Sequence, residues 1–324
     1  MYLDGKVILV TGGTGSFGKK LIEIVLKKYK PKAIRVYSRD ELKQSEMMQH
    51  YGNVPQLRFF IGDVRDSERL DRAMHGVDIV VHAAAMKQVP ACEYNPFEAV
   101  KTNILGAQNI INTAITNKVK KVIAISTDKA VNPINLYGAT KLCAEKIFIQ
   151  GNSYAGGAPV SFSCVRYGNV IGSRGSVIPV FEKQRKTRTV KITDKRMTRF
   201  WITLEQGVSF VIRCIEIMKG GEVFVPKIPS MKILDLAELI APGCKIEEIG
   251  IRPGEKINEV LITEDESRHT REFKDFFVIE PEFHWWSKDN HEGGRKLKDG
   301  FRYTSDNNPG WLTKKEMEKL LERI

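Results

Sequence analysis

The chain has 324 residues, 42% of them hydrophobic and 28% charged, enough to bury a large core as one α/β domain or two unequal ones. No apolar run reaches about 18 residues, which argues against a membrane-spanning helix; the first run, Val7 to Val10, is also too short for a signal peptide, so a cytoplasmic protein is expected. The five cysteines (Cys92, Cys143, Cys164, Cys214 and Cys244) are scattered without metal-ligand spacing and read as reduced thiols with no metal site, while the net charge of +12 fits nucleic acid or a polyanionic small molecule.

In chain order, Lys6 to Val10 reads as a strand, followed by the loop Thr11-Gly12-Gly13-Thr14-Gly15-Ser16-Phe17-Gly18 and then by the helical pattern Phe17, Leu21, Ile22, Val25, Leu26. Glycines let a backbone approach a pyrophosphate, and a helix N-terminus offers unpaired N–H groups with partial positive charge. Gly12, Thr14, Gly15, Ser16, Phe17 and Gly18 are therefore assigned to a dinucleotide. The second strand, Ala33 to Tyr37, ends in Ser38-Arg39, where an NAD-binding protein typically carries an acid for the ribose hydroxyls. Ser38, Arg39 and Lys43 suit a 2′-phosphate instead, so NADP is expected over NAD; Asp40 and Glu41 read as acids of a helix's first turn.

A third strand, Leu57 to Ile61, leads into Gly62-Asp63-Val64, where Asp63 and Val64 are placed at the adenine. A fourth, Val77 to Val81, runs into His82-Ala83-Ala84-Ala85; the small residues, Ala83 among them, let a ribose and nicotinamide lie against the backbone, and His82 reads as structural. Lys87 lies just beyond, facing substrate or cofactor. An amphipathic helix is expected from Pro96 to Thr116, with Val100, Ile104, Ala107, Ile111 and Ile115 on its buried face.

The fifth strand, Val122 to Ile125, delivers Ser126-Thr127-Asp128-Lys129, and a helix opens near Tyr137. Residues four apart on a helix share a face, about 6 Å apart along the axis, so Tyr137 and Lys141 point together above the strand end that presents Thr127, Asp128 and Lys129. Strands alternating with helices imply a doubly wound parallel sheet, an α/β Rossmann-type fold whose ligands bind at the carboxyl ends of the strands. Further on, Lys183, Arg185, Lys186, Arg188, Lys191, Lys195, Arg196 and Arg199 form the densest basic segment. No nucleic-acid module accompanies it, so it reads as a solvated face with one or two cations turned to a phosphate, and no nucleic-acid partner is expected.

Gly12-x-x-Gly15-x-x-Gly18, Thr127 and Tyr137-x-x-x-Lys141, in that order, resemble the extended short-chain dehydrogenase/reductases that act on nucleotide sugars. The stretches Tyr37 to Gln44, Ser126 to Lys141, Arg166 to Val170, Arg196 to Phe200 and Arg252 to Lys256 resemble more closely the inverting UDP-N-acetylglucosamine 4,6-dehydratases of pseudaminic acid synthesis. The likeness covers nearly the whole chain and is weakest from about Asp265 to Lys298, where Trp285-Trp286 has no recognised counterpart.

This resemblance implies UDP-N-acetylglucosamine as substrate, with Asn169 contacting the nucleotide sugar, Arg199 and Arg252 neutralising its diphosphate and Glu255 accepting from the uridine ribose. It implies a cofactor domain of residues 1–170 to which 200–227 returns, a smaller sugar domain of 171–199 plus 228–324, and a homo-oligomer. The implied chemistry is C4 oxidation with Tyr137 as base, supported by Lys141 and Thr127, then loss of water across C5–C6 and return of hydride to C6. Asp128 would be the acid at the 6-hydroxyl and Lys129 the base at C5; related retaining dehydratases carry glutamate at the position of Lys129. A tight Asp128–Lys129 ion pair opposes both roles. Either a desolvated pocket holds the neutral pair, or Tyr137 and water share the work. The alternatives are a capsule-sugar dehydratase/5-epimerase, a 5,6-ene-forming dehydratase, or an NADP-binding regulatory protein on the same fold.

Overall fold

The computed structural model describes residues 1–172, 176–283, 286 and 290–322; Trp285 lies outside them. Five early apolar runs form strands β1 (Val7–Thr11), β2 (Ala33–Ser38), β3 (Leu57–Ile61), β4 (Ile79–His82) and β5 (Lys121–Ile125), and β6 (Ser161–Val165) follows. β1 and β4 are buried along their whole length, as expected of strands covered on both faces. They belong to a ten-stranded sheet. From one edge the order is β3, β2, β1, β4, β5, β6, then Val223–Pro226, all mutually parallel. The order reverses between β1 and β4, which makes the sheet doubly wound and puts the ligand crevice at that switch point.

The other edge departs from expectation. Strands Phe276–Ile279, Thr270–Glu272 and Arg295–Lys296 extend the same sheet in antiparallel fashion, although they fall within the segment expected to build the smaller unit. The reason is local: Phe276 to Ile279 is buried throughout and pairs with the equally buried Val223–Pro226. Trp286 stacks on His291, with ring centroids 6.0 Å apart, and His291 Nε2 lies 3.1 Å from Glu222 Oε1 beneath this edge.

A second core gathers Phe181, Ile192, Met197, Trp201, Met231, Leu236 and Met317. Around it lie a three-stranded sheet (Ser230–Lys232, Thr198–Ile202, Asn169–Val170) and the pair Lys245–Glu248 with Thr189–Ile192. Phe181, Ile192, Met197 and Trp201 of this core line one cleft together with residues at the carboxyl ends of β1, β4 and β5.

The expected helix from Pro96 to Thr116 is interrupted. Residues Lys101–Leu105 form a π turn between α-helical segments Pro96–Val100 and Gly106–Thr116. Its extra residue rotates the buried stripe onto Thr102, Asn103, Ala107, Ile110, Ile111 and Ala114 and leaves Ile104 half-buried. Asn103 uses the turn to clamp Met86 by both main-chain groups, accepting from its N–H and donating to its carbonyl, each at 2.9 Å, and it donates to Thr140 Oγ1 at 3.0 Å. No helix among the described residues is long and apolar enough to cross a membrane.

Candidate active site

A cleft of about 1120 Å³ runs from the Gly12 loop, across the ends of β1, β4 and β5, to the Arg252–Lys256 turn. At its first end, Gly12 has φ +66, and a Cβ there would lie 2.9 Å from the Ala84 main-chain nitrogen. Only glycine fits without strain. A Cβ on Gly18 would lie 2.5 Å from Gly13 Cα, so this glycine seats the helix Ser16–Lys28 on the loop rather than lining the cleft. That helix starts at Gly15 with no side-chain cap. Its first N–H groups are left for an anion, and the backbone cradle has the form a pyrophosphate requires.

Thr14, Ser16, Phe17, Ser38, Arg39, Asp63, Val64, Ala83 and Lys87 also line the cleft. Ser38 Oγ sits 2.8 Å from Thr14 Oγ1 at the end of β2, and Arg39 lies on the rim 3.6 Å from Asp63. Burial pushes Asp63 up, but Arg65 donates to it through backbone and guanidinium and holds it below the usual carboxylate range. Lys43 is off the wall, in an ion pair with Asp40, the N-cap of Glu41–Tyr51. His82 is buried against Thr11 Oγ1 at 2.8 Å, and burial pushes it down to about 3, so it is a neutral structural group.

At the centre, β5 ends and the chain makes a 3₁₀ turn, Asp128–Ala130, before the helix Leu136–Tyr154. Asn135 caps that helix by accepting from Gly138 N–H at 2.7 Å, and donates to the Gly254 carbonyl at 2.8 Å, tying this helix to the far wall. Tyr137 and Lys141 are both buried and both line the cleft. Lys141 Nζ donates to the Ile125 carbonyl at 2.7 Å, and burial lowers its pKa. Tyr137 is pushed up to about 12 by burial; Lys129 opposes that and Asp128 adds to it, and the Thr127 hydroxyl is within hydrogen-bonding reach.

Thr127 Oγ1 donates to Asp128 Oδ1 at 2.8 Å, and Lys129 Nζ donates to the same oxygen at 3.0 Å. Asp128 is fully buried behind the wall. Burial, with Glu259 adding and Lys129 opposing, raises its pKa. Burial works to lower Lys129, but Asp128 and Glu259 outweigh it and leave the ammonium favoured. Asn169 Oδ1 accepts from Lys129 Nζ at 3.3 Å.

The far end holds Arg252 and Glu255, whose charged groups lie 3.9 Å apart. Arg199 lines the cleft, but its terminal nitrogens are committed to the carbonyls of Thr198, Lys256 and Ile257 at 2.7 to 2.9 Å. Two charged residues that sequence reasoning gave no role also stand here. Lys256 donates to the Val131 carbonyl at 2.5 Å. Glu259 lies within 3.5 to 3.8 Å of Lys129, Arg199 and Lys256. Its signal in the chain is slight, an acid directly preceding the apolar run Val260-Leu261-Ile262. Among the described residues no cluster of histidine, cysteine or carboxylate side chains could hold a metal ion.

Fold and cleft together define a Rossmann-type α/β protein with a ligand crevice between two cores. A family model described as polysaccharide biosynthesis protein matches residues 8–281, and the chain belongs to that family. It is 55% identical to the inverting UDP-N-acetylglucosamine 4,6-dehydratase of Campylobacter jejuni, over 98% of this chain and 97% of that protein. It is 44% identical to the UDP-glucose 4-epimerase of Rickettsia conorii, over 86% of this chain and 84% of that one. The crystal structure of Pen from Bacillus thuringiensis superposes with a TM-score of 0.91 at 42% identity, covering all of both chains.

Proposed function

We propose that the protein is an inverting UDP-N-acetylglucosamine 4,6-dehydratase, a hydro-lyase producing a UDP-4-keto-6-deoxy-N-acetyl sugar for a surface polysaccharide, with pseudaminic acid synthesis as its pathway. The observation that carries this reading is the Asp128–Lys129 pair, 3.0 Å apart, with Lys129 lining the cleft beside Tyr137 and Asp128 buried behind it. Oxidation and reduction at C4 need only Tyr137, Lys141 and Thr127; elimination needs an acid and a base in addition. The near-full-length likeness to the Campylobacter jejuni dehydratase supports it.

A nicotinamide dinucleotide bound along the Gly12 loop supplies a hydride acceptor at C4 and a donor at C6. Ser38 and Arg39 favour NADP as that dinucleotide. Tyr137 takes the proton of the sugar 4-hydroxyl, with the Thr127 hydroxyl holding that oxygen in register. The resulting 4-ketone acidifies C5. Lys129 takes the C5 proton, and the acid proton held by Asp128 behind it leaves with the 6-hydroxyl as water. Arg252 and Lys256 meet the diphosphate, Arg199 braces their turn, Glu255 faces the uridine ribose and Asn169 and Lys87 face the sugar.

The test is incubation with UDP-N-acetylglucosamine and NADP+ followed by NMR of the product. A new C6 methyl without net cofactor reduction is expected. A C4-inverted product that keeps its 6-hydroxyl would favour the 4-epimerase reading, which the Rickettsia conorii relative supports. Tight NADP binding with no turnover of any UDP-sugar would favour a regulatory protein. The chain also exposes Tyr94, Phe97 and Leu105 on one short stretch, which supports a homo-oligomer, to be checked by light scattering.

A further inference from the structure

Glu259 sits where the two cores meet, and its carboxylate is only 3% exposed. It stands at the start of strand Val260–Ile262, facing the 3₁₀ turn that carries Asp128 and Lys129. Its Oε1 is 3.5 Å from Lys129 Nζ and 3.7 Å from Arg199 Nε, and its Oε2 is 3.8 Å from Lys256 Nζ with no hydrogen-bond partner among the described residues. A buried carboxylate with one unpartnered oxygen is costly, and its place is explained by what it faces. Lys129 Nζ is the group it shares with Asp128.

We infer that Glu259 is a positioning residue for the elimination, a second carboxylate that sets the pH range in which the Asp128–Lys129 pair carries one proton as it passes between its two forms. The inference rests on the dehydratase reading above. In the first form Lys129 is an ammonium and Asp128 a carboxylate. Transfer of one proton from Lys129 Nζ to Asp128 Oδ1 breaks an N–H bond, forms an O–H bond and yields the neutral amine beside a carboxylic acid. The net charge is unchanged. The amine then takes the C5 proton, the C6–O bond breaks as the C5–C6 double bond forms, and the acid's proton leaves with the hydroxyl as water. The pair is returned to its ionic form.

One proton must therefore stay on the pair through every turnover. A negative charge nearby makes both its loss and the gain of a second proton occur at higher pH. The groups facing Lys129 are Asp128 and Thr127 from its own turn, Asn169, Tyr137, Lys87, Arg199, Lys256 and Glu259. Among these, Glu259 is the negative charge that is not itself a member of the pair.

The test is the pH profile of C5 exchange in D2O, read by NMR, alongside C4 oxidation read as transient reduced cofactor. Glu259→Gln is expected to move both limbs of the exchange profile down by about one pH unit, a tenfold change in each protonation constant. Lys256→Met, which removes a cation from Glu259, is expected to move both limbs up. A role confined to packing lowers the rate at every pH and leaves the limbs in place. Fixed limbs in whichever variant folds, or limbs that move opposite to these signs, overturn the inference. Absence of C4 oxidation and of any C6-methyl product in the wild type would overturn the dehydratase reading instead.

Discussion

Asp128 Oδ1 and Lys129 Nζ lie 3.0 Å apart although their residues are chain neighbours. In a strand, successive side chains point to opposite faces. The 3₁₀ turn Asp128–Ala130, capped by Thr127, brings the two together directly after β5. Two groups of opposite charge are thus brought together from adjacent residues, with Asp128 buried and Lys129 lining the cleft.

Replacing Lys129 by alanine is expected to stop deuterium entry at C5, with a fall of about 10²- to 10⁴-fold in product formation, while C4 oxidation persists. Single-turnover absorbance of the reduced cofactor, read with NMR of C5, separates the steps. C5 exchange equal to the wild type would remove Lys129 from the base role.

Tyr137→Phe keeps the packing of a buried ring and removes its hydroxyl. Turnover is expected to drop about 10²- to 10⁴-fold with little change in UDP-sugar affinity, measured by calorimetry. Because burial pushes the phenol up to about 12, C4 oxidation in the wild type should rise with pH through the neutral range. A flat profile would count against a phenol that must ionise.

Gly12→Ala places a Cβ 2.9 Å from the Ala84 nitrogen at a backbone φ of +66. The loop must shift at the point where the pyrophosphate is proposed to lie. Cofactor affinity is expected to fall at least about tenfold, or about 1.4 kcal/mol, in a fluorescence titration, with UDP-sugar affinity retained.

NADP preference is tested at the end of β2. Ser38→Asp is expected to reverse the ratio of NADP to NAD dissociation constants, since a carboxylate there accepts from ribose hydroxyls and repels a 2′-phosphate. NAD binding as tight as NADP in the wild type would refute the preference.

Arg166 is fully buried between Glu145 and Glu266, and Ser126 Oγ donates to Glu145 at 2.8 Å, so this network adjoins the 3₁₀ turn Asp128–Ala130. Arg166→Met leaves the buried Glu145 and the half-buried Glu266 without their cation and should cost about 3–5 kcal/mol in denaturant unfolding. Burial pushes Glu266 up, but Arg166 overcomes it and holds the carboxyl near 2. The folded pKa is depressed, so this stabilisation, on the order of 3 kcal/mol, is present above the unfolded value near 4.5 and is lost as pH falls toward 2. Glu266→Gln should flatten that acid-side slope.

Much of the parallel part of the sheet was legible because its determinants are local. Gly12, Gly15 and Gly18 lie between one strand and one helix, and Tyr137 and Lys141 share a face through the 3.6-residue period alone. The π turn at Lys101–Leu105 was not legible, since it depends on Asn103 reaching Met86, a main-chain partner in another loop. The antiparallel edge at Phe276–Ile279 was missed for a similar reason: an apolar run shows that a strand is buried, and not which strand it pairs with.

The sequence by itself determined the doubly wound sheet, the glycine loop between its first strand and helix, and the roster of polar groups gathered at the strand ends, because periodicity and turn chemistry act over a few residues. Only the tertiary structure decided which of those groups meet. It committed the terminal nitrogens of Arg199 to backbone carbonyls, buried Asp128 behind Lys129 and brought Glu259 to the same ammonium. Charge pairing between residues distant in the chain acts through space at a few ångströms, and no spacing along the chain encodes it.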